Sequence, residues 1–230
     1  VDSGEFEQFP TAGEPKVMRA LDGRIYQAVY GGAGIVEYDP ETGELRELAW
    51  IGGEQNRPRS MHYHEPTGYL LVGTRPNKDA LGGAIAAYDL GADELVSVDR
   101  DVIANQSVTG VTSIRGTVFL GTEIYGGAET EPAASRARIA AWNPITREVR
   151  WEMTPFDDAE TIRGLTVLDG LIGKQRDFGR LKPVGFPGAG IRDRFLGYFF
   201  YFTGPHNIPV VLQEGLYFLL VGIEVGVRST

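Results

Sequence analysis

Apolar and polar positions along this 230-residue chain alternate in short runs broken by glycine, the period of strands rather than helices. One unit recurs: an apolar run, a turn centred on glycine, and a second apolar run. It occupies residues 18–26 about Gly23, 64–72 about Gly68, 113–120 about Gly116, 167–172 about Gly170 and 212–219 about Gly215. Those glycines stand 45 to 54 residues apart. A second unit lies between them, at residues 36–45, 86–95 and 140–149. Each copy carries an aromatic (Tyr38, Tyr88, Trp142) followed by Asp39, Asp89 or Asn143. An Asp or Asn there opens a turn by accepting hydrogen bonds from the backbone just ahead of it. A charged, half-polar run follows. Each repeat therefore predicts four strands: A before the glycine turn, B after it, C before the Asp/Asn turn and D after it.

Four-stranded units at a period of about 40–50 residues are the pattern of radially packed sheets. The expected fold is all-β, a β-propeller of tandem four-stranded antiparallel blades, with about five repeat units visible and one degenerate. Residues 1–230 form a single domain in this reading. The last unit should supply strand A near residues 208–212, B near 216–221 and C near 223–228, with no D. Residues 1–10, whose strand at 5–9 has no repeat of its own, should close the ring as that missing outer strand. Residues 174–204 form an irregular segment: they contain no Asp-Pro turn, and their first half is basic and rich in Gly and Pro.

Residues 141–151 read AWNPITREVRW. This resembles the tryptophan-docking motif of quinoprotein-like propellers, Ala-x-Asp-x-x-Thr-Gly-Lys-x-x-Trp, with Asn143 at the Asp position and Arg147 at the Gly position. The same register puts Glu47 in the first unit and Ser97 in the second where the tryptophan would stand. The chain also resembles bacterial propellers of the surface-protein and lactonase-like kind. These resemblances imply blade packing of a WD40-like sort, not a chemistry. Some quinoprotein-like propellers bind pyrroloquinoline quinone, but the adjacent cysteine pair of many such dehydrogenases is impossible in a chain with no Cys. No Asp-x-Asp or Glu/Asn cluster offers a calcium cage. No cofactor is expected.

Charge narrows the partners. With 31 acidic and 22 basic side chains the formal net charge is −9, which repels phosphate backbones, so no nucleic acid is expected as partner. The absence of cysteine removes disulfides, thiolate metal sites and a cysteine nucleophile. It leaves the compartment open, with an extracytoplasmic or secreted location as the expectation. Residues 195–202 are apolar but too short to span a bilayer and are soon followed by Pro205, His206 and Pro209, so no membrane insertion is expected.

Propeller ligands sit over the axis, on loops joining D to the next A and B to C. The D–A loops are read at residues 55–59, 105–107, 158–161 and 206–207, and the B–C loops at 75–78 and 125–129, the last unusually long. Residues 31–34, Gly-Gly-Ala-Gly, are a tight hairpin. Arg59, Gln106, Arg163 and His206 each fall at the entry to, or early in, a strand A. They are the candidate substrate-binding residues around the channel mouth, where Arg57, Arg75 and Lys78 join Arg59 and Arg163 in a guanidinium-rich rim suited to carboxylates. His62 is the candidate catalytic base. Alternation puts His62 and His64 on one face of their strand, a geometry open to metal ligation, but no metal site is assigned. Two readings follow. One is a ligand-binding or scaffold propeller recognising a carbohydrate or protein at the channel mouth. The other is a lyase-type enzyme on an acidic sugar, with His62 abstracting a proton and the arginines clamping the carboxylate.

Overall fold

The structure is a computed structural model that describes residues 8–114, 116–155, 157, 159–167, 207–214 and 217–226. The described residues hold fifteen strands and no helix. Residues 14–50 form one antiparallel meander of β1 (Glu14–Leu21), β2 (Arg24–Tyr30), β3 (Gly34–Asp39) and β4 (Glu44–Trp50). A second consists of β5 (Gln55–His64), β6 (Tyr69–Pro76), β7 (Ala84–Asp89) and β8 (Glu94–Arg100). A third consists of β9 (Ser107–Ile114), β10 (Thr117–Glu123), β11 (Ile139–Asn143) and β12 (Glu148–Met153). These are blades 1 to 3, each in the order A, B, C, D that the sequence predicts.

The fourth unit departs from that order. β13 (Thr161–Val167) is its strand A, but it pairs with β15 (Tyr217–Gly226), which pairs in turn with β14 (Asn207–Glu214). The expected break between strands B and C of the last unit does not occur: β15 runs unbroken across it. β13 also touches β10 at one register pair, Glu123 with Thr161. The irregular segment 174–204 and residues 1–7 of the expected closing strand lie outside the described residues. Phe9 lies outside any strand, with its ring stacked on Tyr38 of β3 at 4.6 Å.

Packing between neighbouring blades makes the core. Tyr26, Ala28 and Ile35 of blade 1 meet Leu70, Val72 and Tyr88 of blade 2. Leu71, Ile85 and Ala87 on the other face of blade 2 meet Val118, Leu120 and Trp142 of blade 3. Phe119, Ile139 and Ala141 meet Ile162 and Leu165 of β13. The three strand C aromatics are buried as expected, Trp142 at 0%, Tyr88 at 1% and Tyr38 at 4% exposure. Close approach of the sheets requires glycine in the middle of strand B. A Cβ on Gly73 would lie 2.8 Å from Val108 Cγ1, and one on Gly121 only 2.6 Å from Ile162 O.

The turn between strands C and D explains the arginine that replaces glycine in the docking motif. Gly43, Asp93 and Arg147 hold the same place in their turns and share a left-handed φ, 73°, 58° and 62°. Glycine adopts that conformation freely, while other residues are strained by it. The two exceptions reach back to the preceding blade. Arg147 Nε donates to Asp99 of blade 2 at 2.6 Å. Asp93 accepts two bonds from Arg46 Nη1 of blade 1, at 2.8 and 2.7 Å, and one from the Tyr88 hydroxyl at 2.5 Å. The strained side chain at each turn is thus an inter-blade latch.

Candidate functional site

Strand A of each blade carries a bulge at the same place. In blade 1, Pro15 faces Val29 and Val17 faces Ala28, leaving Lys16 unpaired. In blade 2, Pro58 faces Thr74 and Ser60 faces Gly73, leaving Arg59. In blade 3, Val108 faces Thr122 and Gly110 faces Gly121, leaving Thr109. A bulge turns its extra side chain out of the alternation of the strand, and a proline, which lacks the ladder donor, is tolerated beside it. The expected loop at residues 55–59 is therefore strand: Pro58 bends β5 without ending it. A shift of register also follows Arg163 in β13, opposite Glu224 of β15.

These bulged residues meet. Lys16, Pro58, Arg59, Thr109 and Arg163, from four different units, line one cleft of about 100 Å³. The Thr109 hydroxyl donates to Ile162 O at 2.7 Å and so ties β13 to blade 3. Lys16 pairs with the exposed Glu14 carboxylate and lies 5.5 Å from the centre of the Tyr30 ring, which Arg57 approaches at 5.0 Å. Behind Arg59 stands Glu123 at the end of β10, its side chain 3% exposed. Arg59 Nη2 lies 3.5 Å from its Oε2 and Arg75 Nε 3.2 Å from its Oε1. Arg75 spends its hydrogen bonds elsewhere, on Gly126 O at 2.6 Å and Gly127 O at 3.0 Å, so Oε1 has ion pairing without a hydrogen-bond donor. Burial, above all, lowers the pKa of Arg59. Glu123 opposes that shift, and the nearby positive charges of Arg163 and Arg75 add to it. Arg163 itself makes no side-chain hydrogen bond or ion pair among the described residues.

The other sequence candidates sit elsewhere. Gln106, 1% exposed, is committed at both ends of its amide: Nε2 donates to Arg136 O at 3.1 Å and Oε1 accepts from the Thr122 hydroxyl. Gln55 does the same in blade 2, donating to Gly82 O at 3.1 Å and accepting from Thr74 at 2.6 Å. Each threonine also bonds the first backbone groups of strand C. The pair is a repeated staple of the blade. His62 stands three residues past the bulge, its Nε2 2.7 Å from Ser113 Oγ of blade 3. Its pKa is pushed down to about 4, first by burial and then by Arg19 and His64. His64 takes a separate partner, Thr67 Oγ1 at 2.7 Å. His206 lies outside the described residues. Of the remaining rim cations, Lys78 pairs with Glu129 at 3.2 Å. Two backbone bonds beside that pair dock the long B–C loop of blade 3 on that of blade 2.

Sequence reasoning missed Lys16 and Glu123. Lys16 had a signal: Pro15-Lys16 and Pro58-Arg59 fall at matching points of two strands A, and proline inside a strand marks a bulge or edge. Glu123 had none, because nothing in the sequence shows that its strand end is covered.

No protein-family model matches the chain, and no curated protein matches it. Solved structures do. The chain is similar to a europium-containing methanol dehydrogenase, with 14% identity and a TM-score of 0.51 over 86% of this chain and 39% of that one. It is also similar to a chain of a mitotic checkpoint complex, with 11% identity and a TM-score of 0.45 over 71% of this chain and 49% of that one. The chain spans less than half the length of either. The likeness is one of fold: this is an all-β chain of four-stranded, propeller-like blades.

Proposed function

We propose that this chain is a binding propeller that recognises, at the mouth of its axial cleft, an acidic group presented by a carbohydrate or protein ligand. The observation that carries the reading is the repeated strand A bulge. It brings Lys16 and Arg59 together with Arg163 in a protein of formal net charge −9. A cleft of about 100 Å³ admits a carboxylate or similar head group, since a water takes about 30 Å³ of liquid, and leaves the rest of the ligand on the rim. Guanidinium groups suit a carboxylate by forked hydrogen bonding. Gln106 supports the blade in this reading and does not touch the ligand. The proton-abstracting alternative needs a base in the cleft. His62 lies beyond it, bonded to Ser113, and its low pKa makes it a weak proton acceptor, so no observation favours that alternative.

Calorimetry with uronate-containing oligosaccharides, acidic peptides and their neutral counterparts tests the reading. Only the acidic members of one set should bind. Arg163→Ala and Lys16→Ala should each weaken that binding about tenfold or more, the worth of one charge-assisted hydrogen bond. Equal binding of acidic and neutral ligands, or full affinity in both variants, would refute it.

A further inference from the structure

A cleft that gathers like charges from separate units has a consequence for the whole array. Lys16 belongs to β1, Arg59 to β5 and Arg163 to β13, so their mutual repulsion acts between blades, not within one. Arg59 is three-quarters buried, at 22% side-chain exposure, and its one carboxylate partner among the described residues, Glu123, is shared with Arg75. Arg75 in turn is anchored to the loop of blade 3. Sites kept for binding are often electrostatically unfavourable when empty, and neutralising them raises stability at the cost of function.

We propose that the acidic group bound in this cleft is also an electrostatic keystone: one small oxyanion, a carboxylate, phosphate or sulfate, held between Lys16, Arg59 and Arg163, fastens blade 1, blade 2 and the fourth unit together. The proposal rests on the cleft being the binding site for an acidic group. It adds that the empty cleft strains the array. Small oxyanions alone should suffice as ligands, because the three cations address the head group and not the rest of the ligand.

The test is thermal unfolding of the full chain at fixed ionic strength, in chloride and with phosphate, sulfate or glucuronate replacing part of it. The native protein should gain stability saturably with at least one oxyanion, and the best of the three identifies the head group. In chloride alone, Lys16→Met and Arg163→Met should each unfold about 2 °C or more above the native protein, the size expected from relieving a modest repulsion in a chain of this length, and neither should respond to the oxyanion. Arg59→Met is the opposite control and should unfold lower, because it strips Glu123 of a partner. If Lys16→Met and Arg163→Met both unfold below the native protein in chloride, the charges are already compensated and the keystone is overturned. Saturable oxyanion binding by calorimetry together with that result would leave the binding reading standing while removing the keystone. No binding of any oxyanion removes both.

Discussion

Gln106→Leu separates a structural role from a ligand role. The substitution keeps the volume close and deletes the amide. Two hydrogen bonds disappear, the one donated to Arg136 O at 3.1 Å and the one accepted from Thr122. Each is worth about 0.5–1.5 kcal/mol net. Thr122 keeps a partner, because its hydroxyl also bonds Arg138 O at 3.2 Å. The expected loss is about 2–3 kcal/mol. Gln55 supplies an internal control. It makes the equivalent pair of bonds in blade 2 and is equally buried at 1%, with its bond to Gly82 O the more enclosed of the two, so Gln55→Leu should cost at least as much. Urea unfolding followed by tryptophan fluorescence and far-ultraviolet circular dichroism reads both. Affinity for an acidic ligand, measured well below the transition, should stay within twofold of the native protein. A Gln106→Leu variant of native stability that no longer binds would refute the staple and return Gln106 to the binding site.

Four further outcomes follow from the packing and the charges. Trp142→Ala should lose about 3–5 kcal/mol, read by denaturant unfolding, because the ring is fully buried between blades 2 and 3. Trp142→Phe should lose far less, since the indole N–H makes no hydrogen bond among the described residues. Gly121→Ala should lose about 1–3 kcal/mol, because a Cβ there meets the backbone oxygen of Ile162, which cannot turn aside as a side chain does. Arg147→Gly should shift the thermal midpoint by no more than about 2 °C, since loss of the latch to Asp99, held by a half-exposed arginine and worth little in solvent, is offset by relief of a left-handed φ. His62 sets a limb of the pH profile. Its folded pKa of about 4 lies below the unfolded value of about 6.5, so the unfolded chain binds the extra proton between those values. The contribution of His62 is full above pH 6.5 and is lost as pH falls towards 4, by at most about 3 kcal/mol. In His62→Gln that part of the acid limb should flatten in unfolding free energies measured from pH 7 to 4.

The sequence made the blades legible because each rests on a local rule repeated several times. The glycine turns at 23, 68 and 116, the Asp and Asn turns at 39, 89 and 143, and the buried aromatics that precede them appear where the alternation placed them. The end of the array was not legible in the same way. Residues 217–226 are apolar but for Glu224, and periodicity alone cannot say whether such a run is one long strand or two short ones. The site was half legible. Arg59 and Arg163, singled out by their place at the start of strand A, line one cleft. Gln106 was found by the same rule yet points into its own blade, because the rule locates a residue along a strand and says nothing of which way a bulge turns it. One residue of register moves a side chain to the other face, and the bulges at Lys16, Arg59 and Thr109 make that shift three times over.

Repetition also separates what the fold needs from what it leaves free. At equivalent points of three blades the backbone is the same, so a side chain that differs there is not required by the backbone. Gly43, Asp93 and Arg147 share one turn, and the two non-glycine members each have a structural use, a latch to the blade before. Lys16, Arg59 and Thr109 share one bulge. Thr109 has a structural use in its bond to Ile162 O. Arg59 has a partial one in Glu123. Among the described residues, Lys16 has an exposed carboxylate two residues away and the face of the Tyr30 ring. The bulge accepts threonine in blade 3, and the chain instead places cations at the other two points, where they line one cleft with a third from β13. That convergence is the feature which the proposed binding of an acidic group would use.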